Sequence, residues 1–259
     1  MPRPRASALL GPADPPPVEV FDPGEDSPFL FVVDHAGRAI PKALGRLGLV
    51  KSAFDLHIAY DIGARALAMN LGATLSASVI AQRYSRLVID CNRAPGQIGS
   101  IVAESDGVAI PGNADLSDDE RDERAAALHA PYHRRIDEAL TDRRARGLLT
   151  ILVCQHSFTP TMAGVARPWH VGVLHLGDSP ISQAMITVLR REGDLTVGDN
   201  QPYAMDGTDF TAPFHARASG CEMLELEVRQ DLIADAAGQT AMATRLTRLL
   251  PLALELARQ

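Results

Sequence analysis

Continuous apolar runs of strand length recur along the chain. They cover residues 29–33, 74–81, 86–91, 148–154, 171–176 and 223–228. Most of these runs, such as Phe29–Val33, do not alternate between apolar and polar residues. This pattern predicts strands that are covered on both faces of a sheet.

Helical patterns separate these runs. Apolar residues at helical spacing predict a helix over Ile58–Leu71 that ends near Gly72. Ser117 and Glu120 have the spacing of a capping box, and the charged helix that follows is expected to break at Pro131 and resume to about residue 146. Further helices are predicted over 179–191 and 239–258. Strands that alternate with helices indicate an α/β layer fold with a largely parallel sheet.

Prolines are dense near the beginning of the chain, at positions 12, 15–17, 23 and 28. This density argues against regular structure, so we predict that residues 1–28 form an extended arm. Residues 29–259 show no internal repeat and are predicted to form a single domain.

Composition narrows the function classes. The 25 basic and 32 acidic side chains give a net charge of −7 without a basic run, which argues against binding to nucleic acid or an anionic membrane. No apolar stretch approaches the roughly 18 residues of a membrane helix, and the apolar residues 6–10 are too short for a signal peptide. Three scattered cysteines do not suggest a disulfide framework. We therefore expect a cytoplasmic protein.

Polar residues that follow the apolar runs are the first candidates for chemistry, because ligands of open α/β sheets bind beyond the carboxyl ends of the strands. His35 and His156 both occupy such positions, and two imidazoles there would suit a mononuclear Zn²⁺ site. The alternative is two unrelated histidines bonded to the backbone. Asp61 would supply a third ligand, although an acid near a helix start also fits the helix dipole. Asp34 adjoins His35 and is expected to point to the opposite face.

Two more strand ends carry charged residues. Asn92 and Arg93 would hold a substrate carboxylate, unless Arg93 forms a structural salt bridge with Asp90 or another acid. Residues 225, 227 and 229 are charged and share one face of a strand, which is either solvated or places Glu227 beside a metal as a general base. The motifs of serine esterases, P-loop proteins, dinucleotide-binding folds and HExxH metalloproteases are absent.

Three other histidines give weaker signals. His129 and His133 stand four residues apart, but Pro131 lies between them and nearby arginines favour an exposed basic helix face over a metal site. His215 follows a loop and would line a pocket.

Several segments together resemble the N-formylglutamate amidohydrolase family. In chain order they are Asp34–Pro41, Asp61–Gly63, Ser85–Arg93, Gln155–Pro160, Asn200–Tyr203 and Glu227–Leu232. The resemblance covers about residues 29–235. It implies a zinc-dependent hydrolase of N-acyl amino acids with a three-layer α/β/α fold, a mixed, largely parallel sheet and kinship to zinc carboxypeptidases and aspartoacylases. The wider superfamily uses a His-x-x-Glu pair, whereas Arg38 stands three residues after His35.

The resemblance also implies roles for individual residues. His35 and His156 would hold one Zn²⁺ per chain, with Glu227 as the catalytic carboxylate. The resemblance does not supply the carboxylate ligand, and Asp61 is our choice for it. The substrate would be a small anionic N-acyl amino acid similar to N-formylglutamate. The predicted substrate-binding residues are Asn92, Arg93, Arg86 and Arg229, and His215 would stabilise the oxyanion.

Alternatives to this assignment are a related deacylase, a small-peptide hydrolase or an inactive binding protein on the same fold. A monomer or small homo-oligomer is expected.

Overall fold

A mixed β-sheet forms the centre of the protein, as seen in a computed structural model that describes residues 9–24, 26–177 and 179–259. The strands in these ranges are β1 (Val18–Phe21), β2 (Phe29–Val33), β3 (Ser78–Gln82), β4 (Glu104–Ser105), β5 (Val108–Ala109), β6 (Ile151–Phe158), β7 (Thr161–Met162), β8 (Val165–Ala166), β9 (Val171–Leu174), β10 (Val197–Asp199) and β11 (Glu222–Arg229). The α-helices are α1 (Ala64–Thr74), α2 (Asp118–Arg124), α3 (Ala130–Ala145), α4 (Pro180–Arg191), α5 (Thr211–Ser219) and α6 (Ala236–Ala257).

Seven of the strands in the described ranges form one sheet in the order β1-β3-β2-β6-β11-β9-β10. The neighbours β3, β2, β6 and β11 are parallel, whereas β9 pairs antiparallel with β11 and β1 pairs antiparallel with β3. The prediction of a mixed, largely parallel sheet is therefore confirmed. The carboxyl ends of β2, β6 and β11 lie side by side at one edge of the sheet.

Helices cover both faces of this sheet. Alternate residues of β2 face opposite ways: Phe29 and Phe31 pack in the cluster that includes α1, α4 and α6, while Leu30 and Val32 pack with α3 and α5. This is the three-layer α/β/α arrangement, and it explains why the strand is apolar on both sides. No helix in the described ranges combines the length and apolar character that a membrane crossing requires.

One strand prediction and part of the arm prediction are wrong. Residues 86–91 form no strand: residues 86–88 form a turn, and Leu87, Val88 and Ile89 pack in a cluster separate from those of the sheet. Within the predicted arm, Val18–Phe21 forms the edge strand β1, because these four residues lie free of proline. The Pro17 carbonyl also accepts a hydrogen bond from the Arg83 amide. The part of the arm prediction that concerns residues 1–8 and Glu25 lies outside the described residues.

The helix predictions differ from the structure at Gly72 and Pro131. Gly72 lies inside α1, where a Cβ atom would stand 2.6 Å from Val79 Cγ2, so its role is close packing on β3. The capping box of Ser117 and Glu120 is confirmed. The following helix does not break at Pro131: a π-helical segment, Ala125–His129, leads directly into α3, whose first turn accommodates the proline.

Candidate functional site

Polar side chains converge at the edge of the sheet where β2, β6 and β11 end. His35 follows β2 by two residues, His156 belongs to β6, and Glu227 pairs in register with His156 on β11. All three line a cavity of about 390 Å³. The position agrees with the rule that ligands bind beyond the carboxyl ends of parallel strands.

A candidate metal centre lies at the bottom of this cavity. His35, Asp61 and His156 are buried, and each offers one ligand atom within 4.8 Å of the others. Asp61 Oδ2 lies 3.4 Å from His35 Nδ1 and 2.9 Å from His156 Nδ1. His35 Nδ1 is buried without a hydrogen-bond partner. An unpartnered imidazole nitrogen beside a second imidazole and a carboxylate is a donor set that fits a divalent transition metal such as zinc.

Two further aspartates lie behind the imidazoles. Asp90 Oδ1 is 2.7 Å from His35 Nε2, and Asp34 Oδ2 is 3.3 Å from His156 Nε2. A carboxylate at Nε2 favours the tautomer that carries its proton there and leaves the Nδ1 lone pair for a cation. Asp34 reaches His156 because the chain turns directly after Val33, so the strand alternation that would have turned Asp34 away no longer applies.

The charges of this cluster reinforce one another. Burial disfavours the ionised form of Asp34, but the nearby His156 outweighs it and lowers the pKa of Asp34 to about 2. Burial likewise opposes protonation of His156, but Asp34 and Asp61 raise its pKa well above the ordinary value. The cluster therefore attracts positive charge, either a proton or a cation.

Glu225 and Glu227 extend into the cavity from the same face of β11. Both carboxyl groups are buried, both line the cavity, and the Oε2 atom of each has no hydrogen-bond partner. Burial is the main reason why the pKa of each is raised to about 8. The solvated strand face that the sequence left open is thus excluded for these two residues.

The predicted substrate-binding residues Arg86, Asn92 and Arg93 line the cavity but already have partners. Arg86 donates to Asp61 and Asp90, and these carboxylates raise its pKa despite its burial. Arg93 donates to Asp209 at 2.9 Å rather than to Asp90.

The side chain of Asn92 has a structural contact as well. Its Oδ1 accepts hydrogen bonds from the amides of residues 210 and 211, at 3.0 and 2.9 Å, where α5 begins.

Two predicted site residues lie elsewhere. His215 is completely buried in α5, behind the cavity, where its Nδ1 donates to Asp137 and its Nε2 lies 2.8 Å from His133. Arg229 is not among the residues that line the cavity, and it donates to Asp231. The period-two pattern of β11 predicts that Arg229 shares the face of Glu225 and Glu227. However, β11 ends at Arg229 and a 3₁₀ turn begins at Gln230, so the alternation of the strand no longer fixes the direction of this side chain.

The helix that carries His129 and His133 has no exposed basic face at these positions. Both histidines are buried, and their Nε2 atoms lie 3.0 Å from the Arg93 carbonyl and 2.9 Å from the Cys91 carbonyl. Arg124 is also buried. These helix residues therefore support the backbone of the segment that carries Asn92 and Arg93.

Comparison with known proteins agrees with this geometry. Residues 27–234 match the family model described as N-formylglutamate amidohydrolase. The chain belongs to this family. No curated protein sequence in the comparison matches it.

Solved structures of similar proteins extend the comparison. The gene product Atu2144 from Agrobacterium tumefaciens is 36% identical, with a TM-score of 0.93 over 97% of this chain and 100% of that chain. The N-formylglutamate amidohydrolase from Ralstonia eutropha JMP134 is 20% identical, with a TM-score of 0.69 over 94% of this chain and 99% of that chain. The second likeness shows a shared fold.

Sequence reasoning missed several residues of the cavity. Asp90 and Tyr203 belong to segments that resemble the family, but the sequence predicts no site role for either beyond a salt bridge of Asp90 with Arg93, and it predicts none for Asp209. Asp90 lies two residues before Asn92 in a segment that was already a candidate, so its spacing was a usable signal. Asp209 and Tyr203 belong to a loop between β10 and α5, and no local pattern indicates where such a loop lies.

Proposed function

We propose that this protein is a metal-dependent amidohydrolase that removes the acyl group from a small N-acyl amino acid. Membership of the N-formylglutamate amidohydrolase family supports the reaction class. The observation that carries the proposal is the buried set His35, Asp61 and His156, with the unpartnered His35 Nδ1, beside the carboxyl group of Glu227.

The metal would be zinc, held by one oxygen and two nitrogen donors. A divalent cation at this position supplies a Lewis acid for a carbonyl oxygen and favours the ionisation of water. Asp61 thus takes the place of the glutamate in the superfamily's His-x-x-Glu pair. Arg38, which occupies that position in the sequence, forms an ion pair with Asp55 instead.

Glu227 is the group that moves protons. Because its pKa is raised to about 8, its carboxyl group exchanges protons readily near neutral pH. In the ionised form it accepts a proton from the attacking water, and it then donates that proton to the departing nitrogen. The carbon–nitrogen bond breaks, and the products are a carboxylic acid and a free amino acid.

Arg93 and Asn92 would position the substrate by its free carboxylate. Both line the cavity, and Arg93 is held by Asp209 on the rim. A substrate carboxylate would replace Asp209 as the partner of Arg93, since a planar guanidinium binds carboxylates in pairs of hydrogen bonds. Arg86, bonded to two carboxylates, keeps Asp61 and Asp90 in place.

Metal analysis combined with a hydrolysis assay tests this proposal. Purified protein is expected to bind about one equivalent of zinc, and His156→Ala should bind almost none, whereas the control His170→Ala, outside the cavity, should retain it. Formyl, acetyl and succinyl derivatives of glutamate and aspartate would identify the acyl group. Absence of both metal uptake and hydrolysis would favour an inactive binding protein.

A further inference from the structure

The mechanism above leaves one buried ionisable group without a role. Glu225 is only 2% exposed and lines the cavity, and its Oε2 has no hydrogen-bond partner. It forms no ion pair with any residue in the described part of the chain. A buried carboxyl group without a partner is unusual, because burial of a polar group is costly unless another group compensates for it.

No arginine of the cavity forms an ion pair with Glu225. Six carboxyl side chains line the cavity together with only two arginines, and both arginines are engaged elsewhere: Arg86 with Asp61 and Asp90, and Arg93 with Asp209. Burial, opposed by His156 and reinforced by neighbouring carboxylates, raises the pKa of Glu225 to about 8. A positively charged ligand group would reverse this effect and stabilise the ionised form.

The spacing along β11 indicates which part of a substrate reaches Glu225. Glu227 pairs with His156 and Glu225 pairs with Cys154, so both glutamates share one face of the strand. A rise of about 3.3 Å per residue separates their positions by roughly 7 Å. If the reacting amide lies beside Glu227, then an amino-acid side chain of several bonds spans the distance to Glu225.

We propose that Glu225 forms the end of a side-chain subsite that binds an N–H donor, best a cationic one, of the N-acyl amino acid. This inference rests on the proposed hydrolase function and defines its substrate class. The favoured substrates are N-acyl derivatives of lysine, ornithine or arginine. N-formylglutamate is disfavoured, because its side chain would bring a further carboxylate against Glu225 and the nearby Asp209.

A panel of substrates matched in size tests the subsite. We expect kcat/KM for N-formyl-lysine and N-formylarginine to exceed kcat/KM for N-formylnorleucine at least tenfold. The same two substrates should exceed N-formylglutamate at least a hundredfold. The kcat/KM of N-formylglutamine, whose side chain is a neutral N–H donor, should lie between the values for the cationic substrates and for N-formylglutamate. Glu225→Gln should remove most of the preference for N-formyl-lysine and N-formylarginine over N-formylnorleucine. Glu222→Gln, an exposed glutamate on the same strand, is the matched control.

A binding experiment separates the subsite from catalysis. Glu227→Gln removes the proposed proton carrier, so calorimetry on the metal-loaded variant measures the affinity for intact N-formyl-lysine and N-formylglutamate. Tighter binding of N-formyl-lysine than of N-formylglutamate, lost in the double variant Glu225→Gln/Glu227→Gln, supports the subsite. This result stands even if the wild type hydrolyses neither compound. In that case only the proposed hydrolase function fails. Preference for the glutamate compound, unchanged by Glu225→Gln, would overturn the subsite.

Discussion

Asp34→Asn is expected to weaken metal binding by roughly tenfold to a hundredfold. Asp34 is buried, with Oδ2 3.3 Å from His156 Nε2, while Oδ1 accepts a hydrogen bond from the Thr211 hydroxyl at 2.8 Å. An asparagine of the same shape has one oxygen and one amide nitrogen. Its oxygen faces either Thr211 or His156 but no longer both.

The magnitude follows from the interaction that is lost. If the asparagine oxygen faces Thr211, its NH₂ group faces His156 Nε2 and favours the tautomer with a proton on Nδ1, the atom that would bind the cation. If the asparagine oxygen faces His156 instead, the negative charge of the Asp34 carboxylate is still absent. The ion pair at 3.3 Å is therefore lost in either case, and the loss of carboxylates behind metal-binding histidines typically costs about 10–100-fold in affinity.

Competition with a chromophoric chelator measures this affinity in apoprotein reloaded with zinc. The matched control is Asp199→Asn, since Asp199 lies 2.9 Å from His175 Nε2 in an aspartate–histidine pair outside the cavity. The control should leave the zinc affinity unchanged. A folded Asp34→Asn protein that binds zinc as tightly as the wild type would refute the role of Asp34 in orienting His156.

Three further predictions concern stability. Because burial raises the pKa of Glu225 to about 8, the proton on its carboxyl group stabilises the folded state fully below pH 4.5, and this contribution is lost as the pH rises through 8. The free energy of unfolding of apoprotein should therefore fall less between pH 6 and pH 9 in Glu225→Gln, as measured by urea denaturation. Arg124→Met should lower that free energy by about 3 kcal/mol or more, because Arg124 donates to Asn113 and to two backbone carbonyls that would lose their donor. Gly72→Ala should be destabilising by about 1–2 kcal/mol in thermal unfolding, because overpacking against Val79 exceeds the gain in helix propensity.

The sequence predicted the central strands because burial on both faces leaves a readable signature. Phe29–Val33 is apolar at every position, and every residue of the strand is buried. The same signature failed for residues 86–91, of which Leu87, Val88 and Ile89 are buried equally well in a cluster whose buried members belong to no strand. Continuous hydrophobicity reports burial, and only hydrogen bonds to a neighbouring strand decide whether the buried segment is a strand.

Most of the candidate site was predictable from the strand ends and from the segments that resemble the family, whereas the loop residue Asp209 was not. His35, His156 and Glu227 occupy ends of parallel strands, so the fold class alone brings them to one edge. Asp209 reaches the cavity through a long connection after β10, and its contact with Arg93 depends on tertiary packing that local sequence does not encode. Asp209 therefore carries no local sequence signal comparable to that of a residue at a strand end.

The arrangement of charges explains why the cavity combines a cation site with so many carboxylates. Asp34, Asp61 and Asp90 lie against the two imidazoles, where their negative charge is balanced by protons, by Arg86 or by a bound cation. Glu225 lies two residues before Glu227 on β11, and its Oε2 has no hydrogen-bond partner within the described chain. The metal would balance the first group directly, whereas a cationic ligand group would supply an ion-pair partner for Glu225. The two sets of acids can therefore be tested separately. Removal of zinc should change the charge balance around the three aspartates, and the charge of the substrate side chain should change the charge balance around Glu225.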